Sequence, residues 1–155
     1  MAKPRFEVRA SPIQGFGAFA TRRIPRGTCI IEYVGERISP KEADARYAED
    51  GAGAPVLLFV VNKRTVIDAG VSGNEARFIN HSCEPNCEAV IDSRHIYIEA
   101  LRTISPGEEL SYDYNLTRDE QDDSQYYVCH CGASTCRGTM LEPLPKRRKR
   151  AVRKK

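Results

Sequence analysis

Residues 77–87 read R-F-I-N-H-S-C-E-P-N-C, and few folds have reason to set Asn, His, Cys, Pro and Asn at this spacing. Asn80 and His81 offer polar groups that a turn can use on its own backbone, while Cys83 and Cys87 add two thiols to the same loop. Further along, residues 107–115 read G-E-E-L-S-Y-D-Y-N and residues 129–138 read C-H-C-G-A-S-T-C-R-G; upstream, G-F-G stands at 15–17 and E-Y-V-G at 32–35.

The segments between these motifs set the fold class. The runs T-C-I-I-E-Y-V, V-L-L-F-V-V, T-V-I-D-A, E-A-V-I-D, H-I-Y-I-E-A-L and E-E-L-S-Y-D-Y have strand length, several alternate at period two, and Gly, Pro or Asn breaks separate them. The chain is therefore mostly β. One helix is expected over 39–49, where Ser39 is an N-cap, Pro40 occupies the first helical position and Glu42 stands at the capping-box position. A shorter helical turn is expected from Asn74 into Phe78. At 155 residues, 41% hydrophobic and 29% charged, the chain suits one soluble domain with a single core. No apolar run approaches the roughly 20 residues that a bilayer requires, and the N-terminus has no apolar signal-like stretch. The thiols are accordingly expected to be reduced, in an intracellular setting.

Reduced, clustered cysteines suggest metal rather than disulfides. Cys129, Cys131 and Cys136 form C-x-C-x4-C, one ligand short of a tetrahedral zinc site. The spacing leaves Cys83 and Cys87 both open as the fourth ligand, with His130 disfavoured because it is flanked by two ligands; unconnected free thiols are the alternative. Cys29 reads as a small apolar core residue of a strand.

Charge is divided along the chain. The last ten residues hold eight of the 24 Lys and Arg and no acid, so the rest carries 16 basic against 21 acidic residues, a net −5. A negative body with a basic tail favours a cationic partner such as a Lys/Arg-rich peptide. The tail itself could contact nucleic acid or direct the chain to the nucleus. Residues 117–125 have no apolar member and read as a solvated loop, with Asp119, Glu120, Asp122 and Asp123 expected near the rim of any site built on residues 107–115.

Taken in order, G-F-G, E-Y-V-G, the Asn-His-Ser-Cys stretch, the E-L-S-Y-D-Y segment and the cysteine cluster resemble the SET-domain protein lysine methyltransferases with a post-SET zinc-binding element. The resemblance covers residues 12–141. It implies a SET fold of small curved β-sheets with short helices and a knot-like C-terminal crossing. The boundaries it suggests are a SET domain at 1–116, an acidic loop at 117–125, a post-SET zinc element at 126–142 and a disordered basic tail at 143–155.

The resemblance also implies the chemistry. The cofactor would be S-adenosyl-L-methionine, met by Gly15, Phe16, Gly17, Asn80 and His81, with Leu141, ahead of Arg137 and Met140, covering the adenine. One structural zinc ion would be held by Cys83, Cys129, Cys131 and Cys136. Tyr114 would be the catalytic tyrosine, Tyr33 a second channel tyrosine, and Tyr112 the Phe/Tyr switch that limits the product to mono- or dimethyllysine; Asp113 and Asn115 would bond the crossing backbone. The expected partner is a histone tail or similar basic peptide, in chromatin where the cell has it. The competing reading is a catalytically weak SET-like zinc module that binds chromatin or nucleic acid through its tail.

Overall fold

In the computed structural model, residues 4–49, 56–118 and 125–145 are described. The acidic residues Asp119, Glu120, Asp122 and Asp123 and the basic segment 146–155 lie outside them. The strands are β1 (Phe6–Ala10), β2 (Phe16–Ala20), β3 (Cys29–Glu32), β4 (Glu36–Ile38), β5 (Leu58–Asn62), β6 (Thr65–Asp68), β7 (Asn80–His81), β8 (Cys87–Asp92), β9 (His95–Ala100) and β10 (Ser111–Tyr112). They form four small sheets. β1 and β2 are an antiparallel hairpin, β9 lies between β3 and β8, β6 lies between β4 and β5, and β10 pairs with β7. The arrangement is mostly β, in small sheets with short helices, and no described helix is long and apolar enough to cross a membrane.

Period-two patterning explains the core. Along β9, Ile96, Ile98 and Ala100 point inward and are almost completely buried; Ile98 and Ala100 meet Ile24, Ile30, Ile79, Ile104 and Leu110, while Ile96 packs with Tyr33, Val61, Ile67 and Ala76. Each fully buried Ile contributes roughly 1.5–3 kcal/mol relative to exposure. Burial on this scale secures the central sheet without any outside ligand.

Helix α1 (Pro40–Arg46) has the expected capping box, with the Ser39 hydroxyl accepting from the Glu42 N–H and the Glu42 carboxylate accepting from the Ser39 N–H. It ends earlier than its composition suggests. Arg46 pairs with Asp68 at 2.6 Å and with Glu36 at 2.7 Å, and the Tyr47 hydroxyl donates to Asp68, so tertiary contacts to buried Asp68 draw the chain out of helix at Tyr47. The expected turn after Asn74 is a 3-10 turn, Glu75–Phe78, capped by the Asn74 side chain.

Two expectations need correction. Cys29 is exposed: it opens β3, the alternation turns Ile30 inward, and Cys29 consequently faces solvent. The run at 108–114 contributes only two residues of strand, Ser111 and Tyr112, because its backbone groups are divided: the Glu108 carbonyl and Leu110 N–H bond to Ala20 and Ala18 of β2, while the Asn86 and His81 side chains take the Glu109 carbonyl and the Ser111 and Tyr114 N–H groups.

Candidate active site

β10 crosses beside β7 in parallel register, Ser111 opposite Asn80 and Tyr112 opposite His81. Two-residue strands satisfy few polar groups, so side chains complete the crossing. Buried Asn86 donates from Nδ2 to the Glu109 carbonyl at 2.8 Å and accepts from the Ser111 N–H at 2.9 Å. The Ser82 N–H donates to the Tyr112 carbonyl. His81 Nδ1 accepts from the Tyr114 N–H at 3.0 Å, and the Tyr114 hydroxyl donates to the Ile79 carbonyl at 2.7 Å. Since the Tyr114 N–H can only donate, the neutral imidazole carries its proton on Nε2, which faces Cys83 Sγ at 3.4 Å. Burial lowers the His81 pKa to about 4, consistent with that neutral form.

The crossing brings the three sequence-predicted tyrosines together, along with one residue that had been read only as strand. Phe59 on β5 lies between Tyr33, at 5.4 Å, and Tyr112, at 6.1 Å, and Tyr112 is 4.8 Å from Tyr114. The Tyr33 hydroxyl donates to the Leu57 carbonyl at 2.9 Å. Burial raises the pKa of all three phenols above the ordinary value. They therefore remain protonated near neutral pH, able to donate hydrogen bonds and orient a ligand but not to act as bases. A cleft of about 460 Å³ opens on this wall, lined by Phe59, Ala89, Tyr112, Tyr114, Leu116 and Glu88 among others. The uniformly apolar run V-L-L-F-V-V did not single out Phe59; strand geometry puts it on the same face as buried Val61.

The glycine-flanked turn meets the same crossing. Asn80 Nδ2 reaches the Phe16 carbonyl at 3.0 Å and Glu109 Oε1 at 2.9 Å, with longer contacts to Ser11 Oγ and the Gln14 carbonyl at 3.3 Å. The Ser11 hydroxyl donates to the same Glu109 oxygen at 2.7 Å. A Cβ on Gly17 would stand 2.1 Å from that oxygen, and Gly15 has φ +46°. Both glycines thus have a reason within the chain itself, close approach of Glu109 at Gly17 and a left-handed turn at Gly15. Phe16 between them is exposed and lies edge-on to Phe78 at 6.3 Å.

Cys83, Cys129, Cys131 and Cys136 converge, with all four sulfurs within 4.8 Å of one another. Cys83 Sγ lies 3.8 Å from Cys129 Sγ and 3.9 Å from Cys136 Sγ. Tetrahedral thiolates at about 2.3 Å from zinc stand about 3.8 Å apart, so the donor set fits that ion. Backbone N–H groups of Cys131, Arg137 and Gly138 point at the sulfurs of Cys129, Cys83 and Cys136, as suits thiolates. Cys87 lies outside the group: it is wholly buried beside Asn86, and burial pushes its thiol up to about 12. His130 is exposed and also outside it.

Arg137, directly after the last cysteine, forms a two-pronged pair with Asp113 at 2.8 Å on each prong and donates to the Leu141 carbonyl at 3.3 Å. Asp113 therefore ties the crossing to the cysteine segment, while also accepting from the Asn115 N–H. Leu141 is buried against Leu116, with which it forms a parallel bridge. Glu84 receives the Ser134 hydroxyl and both the N–H and hydroxyl of Thr135. The cysteine segment is thus joined to the loop carrying Asn80 and His81 through sulfur, charge and hydrogen bonds.

Residues 15–115 match the SET domain family. The H3 lysine-4 specific histone-lysine N-methyltransferase of Saccharomyces cerevisiae is 47% identical over 135 residues, covering 83% of this chain and 12% of that protein. Its Aspergillus oryzae namesake is 44% identical over 135 residues, 83% of this chain and 11% of the relative. Histone-lysine N-methyltransferase 2D of Homo sapiens is 42% identical over 137 residues, 84% of this chain and 2% of the relative. The chain belongs to the SET-domain family, and it spans a small fraction of the length of these relatives.

Proposed function

We propose that the chain is a protein-lysine N-methyltransferase that uses S-adenosyl-L-methionine on a basic peptide, with the histone H3 tail as the leading substrate class. The observation that carries this reading is the row of protonated phenols, Tyr33, Tyr112 and Tyr114, with Phe59, of which Phe59, Tyr112 and Tyr114 line the open cleft. The names of the relatives point to the same reaction, and those of the two fungal relatives to H3 lysine 4.

S-adenosyl-L-methionine supplies an electrophilic methyl group on a sulfonium. Gly15, Phe16, Gly17, Asn80, His81 and Leu141 would hold it, and Cys83, Cys129, Cys131 and Cys136 would hold one zinc ion that keeps residues 126–142, as a post-SET element, against the Asn80-His81 loop. The lysine enters from the cleft. Its pKa near 10.4 leaves about one amine in a thousand neutral at pH 7, so its proton must go to solvent before attack. The phenols cannot take that proton; the aromatic wall instead lowers the lysine pKa by desolvation. The Tyr114 hydroxyl, held near the Ile79 carbonyl, aligns the amine, and that positioning supplies much of the acceleration. Tyr112, at the switch position, restricts space for further methyls and directs the product toward mono- or dimethyllysine. A chromatin setting follows if H3 is the substrate.

The test is incubation of the full chain with labelled S-adenosyl-L-methionine and an H3 tail peptide, followed by mass spectrometry. Methyl groups on a peptide lysine are expected. Absence of label from the peptide and from a whole histone mixture alike would overturn the reading.

A further inference from the structure

The chain leaves the described structure at the edge of the cleft. Leu116 forms a parallel bridge with Leu141, the Leu116 N–H donates to the Met140 carbonyl at 3.2 Å, and the Glu142 N–H donates to the Leu116 carbonyl at 2.8 Å. Arg118 fastens the end of this pairing, its Nε donating to the Glu142 carbonyl at 2.8 Å. Leu116 and Thr117 are themselves cleft-lining residues, beside Tyr112 and Tyr114. Glu142 is consequently anchored beside Leu116 of the cleft wall, and beyond it the sequence runs P-L-P-K-R-R-K-R through residues 143–150.

Chain length decides which basic residue can turn back. Tyr114 is two residues from Leu116, at most about 7 Å along the chain. Pro143 and Pro145 favour an extended exit, and Leu144 between them is exposed. Lys146 lies only four residues past Glu142, at most about 14 Å of chain. Lys149 lies seven residues past Glu142, a reach of about 25 Å, which allows a turn. The charge agrees, since the rest of the chain is net negative and the last ten residues hold eight Lys or Arg and no acid.

We propose that Lys149 enters the tyrosine-lined cleft of its own chain and is methylated in cis, so that the tail is both a substrate and a competitor of other basic peptides. This rests on the methyltransferase reading above. The neutral Lys149 Nζ attacks the methyl carbon of S-adenosyl-L-methionine, a C–N bond forms, and the C–S bond breaks with its electron pair passing to sulfur. S-adenosylhomocysteine leaves, and the methylammonium product can release its proton to solvent. A tether this short gives an effective concentration on the order of millimolar, enough to compete with a free peptide.

The full chain is incubated with S-adenosyl-L-methionine alone over a hundredfold range of protein concentration, and in parallel with an H3 tail peptide; modified lysines are located by mass spectrometry. A methyl group on Lys149 is expected, with a first-order rate constant independent of protein concentration. Lys149→Arg should remove it while peptide methylation persists. Methylated peptide with an unmodified tail overturns the proposal, as does a rate constant that rises with protein concentration or modification confined to Lys154 and Lys155. Failure of both peptide and tail to acquire methyl groups would instead overturn the methyltransferase reading itself.

Discussion

Around the cleft, Tyr33, Phe59, Tyr112 and Tyr114 make a continuous aromatic wall packed on buried Ile79, Ile96, Ile98 and Leu110. Between residues 125 and 145, by contrast, only Cys129, Thr139 and Leu141 are buried. The first region is held by apolar burial, the second by four sulfurs, the Arg137–Asp113 pair and hydrogen bonds to Glu84. Burial is spread over many residues and survives the loss of any one. A set of point attachments does not, so the closing segment should come away under conditions that leave the wall intact.

The largest effect is expected from the metal site. A structural zinc site contributes on the order of 10 kcal/mol or more to ordering its ligands, so Cys83→Ser or chelation should abolish metal content and activity together. Amide exchange in residues 126–142 should then rise to that of free peptide while β9 remains protected. Cys87→Ser is the contrasting variant: it should retain zinc and lose roughly 1–3 kcal/mol of global stability by placing a hydroxyl in the core. If chelation instead unfolded β9, the two regions would be one cooperative unit and the contrast would fail.

Within the wall, Tyr114→Phe should lower turnover about 100- to 1,000-fold, the usual cost of losing one donor that acts in the transition state. Cofactor affinity measured by calorimetry should barely change. Equal losses in affinity and turnover would show that the hydroxyl only supports the fold.

Arg137→Gln probes the link between the regions. Both partners are partly exposed, with 22% and 30% of their side chains accessible, so solvent screens the pair and a loss of about 1–2 kcal/mol is expected. Exchange in residues 128–141 should accelerate about tenfold, with zinc retained and β9 unchanged. Equal acceleration in β9 would mean that the pair stabilises the whole molecule.

Tyr112→Phe should leave the first methyl transfer within a few-fold of its original rate and shift the final product to a higher methylation state. An identical product distribution from both proteins would remove Tyr112 from product control. The smallest effect concerns pH. Because burial raises the phenol pKa values, kcat/KM should keep rising from about pH 7 to 9 as the substrate lysine deprotonates, and a descending limb in that interval would assign an ionising group to the wall.

Much of this was legible in local pattern. The Ser39–Glu42 capping box and the Asn74 cap act through neighbours two or three residues away, and the β9 alternation follows period two, so spacing and residue type specify them; the Asn80-His81-Ser82-Cys83 motif was legible as a pattern, although its partners Phe16, Glu109, Tyr114 and the C-terminal cysteines lie far off in sequence. Cys29 was misread because a small thiol at the first position of a strand gives no hint of which face it takes. The choice between Cys83 and Cys87 needed the fold: β8 turns Cys87 into the core and leaves Cys83 on the loop facing the C-terminal segment.

Gly17 depends on Glu109, Phe59 on two strands distant in sequence, and Asp113 on Arg137 beyond the segment at 119–124. The sequence by itself determined most of the elements, the motif residues and three of the four sulfurs available for metal. Only the tertiary structure decided which groups meet across the β7–β10 crossing, because a parallel pairing of two-residue strands is selected by the burial and side-chain hydrogen bonds around it rather than by its own local pattern.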